Sequence, residues 1–139
     1  MSTQVVVRIV GTHEVHIDND LVHLLQHGDY TLDDAIKTHA EIEAVLIKLG
    51  RAFILVDQSR AGITFPEVRK FIGDWNKKHK ASGAAMYGGS LASRAAATLV
   101  LSVIRLFRPD TLPTVFMQSE AEARNWINTQ REKLPKKRA

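Results

Sequence analysis

The chain has 139 residues, 45% hydrophobic and 24% charged, with a formal net charge of +4 and no cysteine. That length suits one domain, 1–139, burying roughly two-thirds of its unfolded surface, and without cysteine neither a disulfide framework nor thiol chemistry is available. The longest uncharged apolar-rich run, Ala95–Ile104, is ten residues between Arg94 and Arg105, half of the roughly 20 that a membrane-spanning helix needs.

Met1-Ser2-Thr3-Gln4 does not begin like a secretory signal, so a cytoplasmic protein is expected. Much of the basic excess sits at the end, in Arg131, Lys133, Lys136, Lys137 and Arg138. Residues 129–139 read as a solvated basic tail. The sharper reading is attraction to an anionic membrane surface, with nucleic acid less favoured.

Val5–Val10 and His13–Ile17 read as two strands. A two-residue loop at Gly11-Thr12 would set Ile9 opposite Glu14. A three-residue loop, Gly11-Thr12-His13, pairs Ile9 with Val15 and Val7 with Ile17. The second register gathers the apolar residues on one face and is the one expected. Asp18-Asn19-Asp20 is a turn cluster, and Leu21–His27 reads as a third strand. Thr31 caps a first helix that runs to Leu49, with Gly50 as its stop. Its core residues are expected to be Leu32, Ile36, Ile42, Val45, Leu46 and Leu49.

Phe53-Ile54-Leu55-Val56 follows, an apolar run without alternation. That pattern fits a strand buried on both faces in the middle of a sheet. It opens into Asp57-Gln58-Ser59-Arg60, where α/β sheets place ligand sites. Thr64-x-x-Glu67 reads as a capping box for a second helix that buries Val68, Phe71, Ile72 and Trp75. Ala84–Tyr87 is a short strand. Gly88-Gly89-Ser90 leads into a third helix reaching Phe107. Val115–Met117 is a last strand, and Ser119-x-x-Glu122 caps a closing helix with Ala123, Trp126 and Ile127 facing in. The order implies an α/β fold: a mixed sheet of about six strands, three of them antiparallel at the N-terminus, then alternating helix and strand, with about four helices.

Three segments carry a family resemblance: Ile54-Leu55-Val56-Asp57 before the second helix, Met86-Tyr87-Gly88-Gly89 before the third, and Val115-Phe116-Met117 leading into Glu120-Ala121-Glu122-Ala123-Arg124-Asn125-Trp126-Ile127. In this order they resemble the SpoIIAA-like branch of the STAS domains, small bacterial domains also compared with CRAL-TRIO lipid-binding modules. A Phe-x-x-x-Glu-Glu-Ala-x-x-Trp-like ending is common there. The resemblance spans residues 5–128 and implies a regulatory or ligand-binding module without enzymatic activity. It also implies a switch by phosphorylation of a serine or threonine near the start of the helix after the central strand. The matching region here is Ser59–Thr64, so Ser59 and Thr64 are the candidates. The family's Asp-Ser-Ser-Gly is absent, and Phe65-Pro66 follows Thr64.

Other chemistry is thinly represented. His13, His16, His23 and His27 lie in the N-terminal strands, without metal-ligand spacing, and read as edge or surface residues. Ser59 or Ser90 with Asp57 and a histidine would be hydrolase parts. There is no Gly-x-Ser-x-Gly and no histidine at a parallel-strand end, so no catalytic residue and no cofactor are expected. Gly88-Gly89-Ser90 offers backbone N–H groups to an anion, with Arg94 one turn on. Asp57, at a neighbouring strand end, would oppose an anion if close.

Two functions follow. One is a regulatory module acting through a protein partner. The other is a carrier or sensor of a hydrophobic small molecule or lipid at a membrane surface. On the third helix Ser90, Arg94, Thr98, Ser102, Arg105 and Arg108 form a polar stripe about 120° wide. Ala92, Ala96, Leu99, Val103 and Phe107 are expected to pack on the sheet. Ala97, Leu101 and Ile104 are surplus, suited to a second copy in a homodimer, to a lipid or to a membrane.

Overall fold

Phe53, Ile54, Leu55 and Val56 are all buried at the centre of the sheet, as their unbroken apolar run requires. The computed structural model describes residues 4–107 and 112–134. The N-terminal part holds β1 (Val6–Val10), β2 (His13–Asp18), β3 (Leu21–Leu25), β4 (Gly28–Tyr30) and α1 (Leu32–Leu49). The middle holds β5 (Phe53–Asp57), β6 (Ala61–Thr64), α2 (Pro66–Lys78) and β7 (Gly83–Tyr87). The chain continues through α3 (Leu91–Phe107), β8 (Thr114–Met117) and α4 (Glu120–Lys133).

Six strands form one mixed sheet in the order β1-β2-β3-β5-β7-β8. The first three are antiparallel, and β3, β5, β7 and β8 are parallel. This is the mixed sheet that the element order predicts. Helices cover both of its faces. On one side Val15, Val22, Ile54, Val56 and Ala84 meet α1 and α2 through Ala35, Ile42, Val45, Val68 and Trp75. On the other, Leu21, Phe53, Leu55, Ala85 and Tyr87 meet α4 through Ala123 and Ile127. Each Val, Leu, Ile or Phe among them contributes about 1.5–3 kcal/mol when fully buried, and each alanine less.

Several local expectations are corrected. The first hairpin closes on the two-residue turn Gly11-Thr12, so Val10 faces His13 and Ile9 faces Glu14. The cause is His13, whose ring is fully buried and claims an inward position that apolar counting denied it. Arg8 therefore shares the α1 side of the sheet and pairs with Glu41 at 3.5 Å. The third strand stops at Leu25. Gly28–Tyr30 then pairs in parallel with Ala61–Thr64, a small second sheet missing from the sequence reading. Thr64 ends β6 and is no helix cap. The N-cap of α2 is Phe65, which makes no side-chain cap bond, with Pro66 just inside the helix.

Helix α1 begins and ends as predicted. Thr31 and Asp34 exchange both bonds of a capping box, and Gly50, at φ 77°, returns its N–H to the Leu46 carbonyl. Its inner stripe is Ala35, Thr38, His39, Ile42 and Val45, and Leu32 and Ile36 are exposed instead. Ser119 caps α4 by accepting the Glu122 N–H. That helix continues to Lys133, so the stretch expected as tail from 129 is helical at its start. Lys136, Lys137 and Arg138 lie outside the described residues. No described helix is long and apolar enough to cross a membrane.

Candidate functional site

The ends of β5 and β7 lie side by side, with Asp57 in register with Tyr87. Beyond them the Gln58 N–H donates to the Tyr87 carbonyl at 2.8 Å. Asp57 Oδ1 accepts the Ser59 N–H at 2.9 Å and the Ser59 hydroxyl at 2.7 Å, folding a tight turn at the surface. Gly88, at φ 87°, passes over this turn. A Cβ there would lie 3.0 Å from the Ser59 Cβ and N, and 3.2 Å from Asp57 Oδ1. Only glycine fits both the left-handed backbone and the approach.

Of the six residues expected to bind a ligand or anion, Asp57, Ser59 and Gly88 are in direct proximity. Gly89 and Arg94 follow on, since a Cβ on Gly89 would stand 3.9 Å from Arg94 Cγ. Ser90 heads α3, its carbonyl accepting the Arg94 N–H at 2.9 Å. Asp57 is thus close to the glycine turn, and its negative charge opposes an anion on these N–H groups. Thr64 stands apart, paired with Tyr30, and its carbonyl accepts from Arg69.

A second polar group lies under this edge, on the α4 side of the sheet, and was missed in the sequence. Arg124 Nη2 lies 3.4 Å from His23 Nδ1. A guanidinium only donates, so Nδ1 accepts and the proton sits on Nε2. That Nε2 donates to the Tyr87 hydroxyl at 2.8 Å. The hydroxyl in turn donates to Glu120 at 3.2 Å, and Arg124 Nε closes the ring on the same carboxylate at 2.7 Å. Burial pushes the His23 pKa below its ordinary value and the Tyr87 pKa above its own. The bond from Arg124 holds Glu120 below the usual carboxylate value. The only sequence signal was a histidine inside an otherwise apolar strand.

The histidines are not the edge or surface group expected. His13 and His23 are buried. The His27 N–H donates to His13 Nδ1 at 2.9 Å, so His13 Nε2 carries the proton and faces the Asp29 carbonyl at 3.0 Å and Asp34 at 3.2 Å. His16 and His27 are half-buried and share the Glu14 carboxylate, one on each oxygen. Their hydrogen bonds, His16 first, lower the Glu14 pKa.

On α3, Leu99 was expected to pack on the sheet and is exposed, as are Leu91 and Leu106. Ala97 is half-buried, while the side chains of Leu101 and Ile104 lie outside the described ones. Arg131, read as part of a solvated tail, is instead clamped on Asp20. Its Nη2 lies 2.6 Å from Oδ1, and Arg51 approaches Oδ2 at 3.1 Å.

No protein-family model matches the chain, and no curated protein does. Solved structures do. One is an uncharacterized protein of the DUF3478 family with a SpoIIAA-like fold, from Shewanella loihica PV-4. It is 15% identical with a TM-score of 0.59, covering 91% of this chain and 98% of its own. Another is the anti-sigma factor antagonist SpoIIAA in its unphosphorylated form, at 9% identity and a TM-score of 0.52, covering 92% of this chain and 98% of its own. With the strand order and the two helical layers already described, these likenesses show that the chain has the STAS/SpoIIAA-like fold.

Proposed function

We propose that the protein is a regulatory module that acts by binding a protein partner, without turnover, through the surface formed by the turns after β5 and β7. The observation that carries this reading is the Asp57–Ser59–Gly88 contact. A serine hydroxyl is exposed at the rim of the parallel strands, held by a carboxylate and crossed by a glycine turn. Such a turn has two states. With Ser59 free, Asp57 folds the loop. With a phosphate on Ser59, the two negative groups repel and the loop opens toward Arg60 and Arg94. Ser59 suits this role better than Thr64, which is tied into β6. The working place of such a module is the cytoplasm.

The reading is tested by photocrosslinking in the source cell. A crosslinking residue at Gln58 or Ser90 should capture a discrete protein, and one at Lys70, on the exposed face of α2, should not. Ser59→Asp should change the yield at Gln58 at least fivefold. Equal capture at all three positions overturns the proposal. A retained acyl chain in the native mass spectrum would replace it with the lipid-carrier reading.

A further inference from the structure

The two edges of the main sheet are treated differently. At β8, Arg105 Nη2 covers the Thr114 carbonyl at 2.8 Å, Pro113 precedes the strand, and α3 packs along it. At β1 the cover is one-sided: α1 and the Arg8–Glu41 pair lie on one face, while Val5, Val7 and Ile9 on the other are exposed. Natural sheets protect such edges with charge, proline or a covering element, because unpaired backbone groups recruit another strand.

The backbone of β1 has a definite polarity. In a two-residue hairpin the pair flanking the turn exchanges both hydrogen bonds, and the ladder then alternates. Val10 flanks the turn opposite His13. Val10, Arg8 and Val6 therefore direct their N–H and C=O groups at β2. Ile9, Val7 and Val5 direct theirs away from the sheet. These same three residues are 69%, 52% and 50% exposed. Their side chains share the α4 side with His16, which faces Val7. Helix α4 packs on β5, β7 and β8 and leaves this end open.

We propose that β1 is the interface between two copies of this chain, paired antiparallel about a two-fold axis through Val7 into one continuous sheet. The occupant is a second copy because the edge complements itself. With Val7 opposite Val7, Val5 falls opposite Ile9, and every outward backbone donor meets an outward acceptor. Two-fold pairing then stacks Val5, Val7 and Ile9 of one protomer on the same residues of its partner. Charge does not oppose it. Arg8, the one charged residue between Val5 and Val10, lies on the other face and is paired with Glu41 of its own chain.

Sedimentation velocity of the full chain should show a species of twice 15.5 kDa. Val7→Lys sets two ammonium groups directly opposite each other and should weaken the dimer at least tenfold, and Val7→Glu should do the same with two carboxylates. An equimolar mixture of the two variants should form a heterodimer. Where a Val7 variant loses its circular dichroism, Ile9→Lys, opposite Val5 of the second copy, gives the same reading. A wild-type monomer at all concentrations overturns the proposal. So does a dimer that survives Val7→Lys or Ile9→Lys, or a mixture of folded variants that stays monomeric.

Discussion

Arg124 reaches His23 from 101 residues away in the sequence, placing a guanidinium N–H on the one ring nitrogen that can accept it. Protonating His23 turns that acceptor into a donor and sets an imidazolium against Arg124. The groups around it are His16 on β2, Asp57 on β5, Tyr87 on β7, and Glu120 and Arg124 on α4. The folded pKa of His23 lies below 6.5, so below pH 6.5 the unfolded chain takes up its proton first. Stability must then fall as pH drops from 6.5 toward the folded value. Buried His39 is depressed in the same direction and adds to the slope. Thermal melts between pH 7 and 5 should show the melting temperature falling, and His23→Gln should flatten the slope to the share of His39. A His23 ring that titrates above 6.5 by NMR contradicts this account.

Asp20 is almost wholly buried and is held by two arginines and by its own backbone, which accepts the Phe53 N–H at 2.7 Å. Asp20→Ala breaks the bonds to both guanidinium groups, which are partly exposed and can turn to water, and should cost about 2–3 kcal/mol. Arg131→Ala should cost less, about 1–2 kcal/mol, because Arg51 remains. Urea denaturation of both single variants and the double variant checks the order. Additive losses would show that the two positions are not coupled.

Thr31 and Thr64 both precede helices, and only Thr31 caps one. Thr31→Ala should cost about 1 kcal/mol. Thr64→Ala, at the half-buried end of β6 and without a cap bond to lose, should cost less, about 0.5 kcal/mol. The same denaturation assay compares them, and equal losses would restore Thr64 as a cap.

Gly88→Ala combines a positive φ with a Cβ 3.0 Å from the Ser59 backbone. The left-handed backbone alone costs about 1–2 kcal/mol, and the contact adds to it. Proton exchange at the Ser59 amide, bonded to Asp57 in the wild type, should accelerate in this variant. Unchanged protection there would mean that the two turns are not mechanically joined.

The strands and helices that bury apolar residues were legible because their patterns are set by solvent. Phe53–Val56 announced a two-sided strand, and Thr31 and Gly50 marked the ends of a helix. What escaped was polar matter placed inside. His13 sets the hairpin register through three hydrogen bonds that no hydrophobic count contains. His23 and Tyr87 meet Glu120 and Arg124 only after the sheet is assembled. The short strands Gly28–Tyr30 and Ala61–Thr64 have no core of their own, so no periodicity marked them. Asp57 and Ser59 were legible as a strand end and the turn after it because a buried apolar run stops there. Their mutual bond and its glycine lid required the neighbouring strand.

The clamp between Asp20 and Arg131 spans 111 residues of sequence. On a ribosome adding about 5–20 residues per second, roughly 6–22 seconds separate the synthesis of its two halves. Throughout that interval the nascent β2–β3 turn carries a carboxylate whose final partner does not yet exist, and the sheet face awaiting α4 stands open to water. The first strands can pair early, but the native state closes only when the last helix arrives. For this chain, newborn protein is the form most exposed to chaperones and to misassociation.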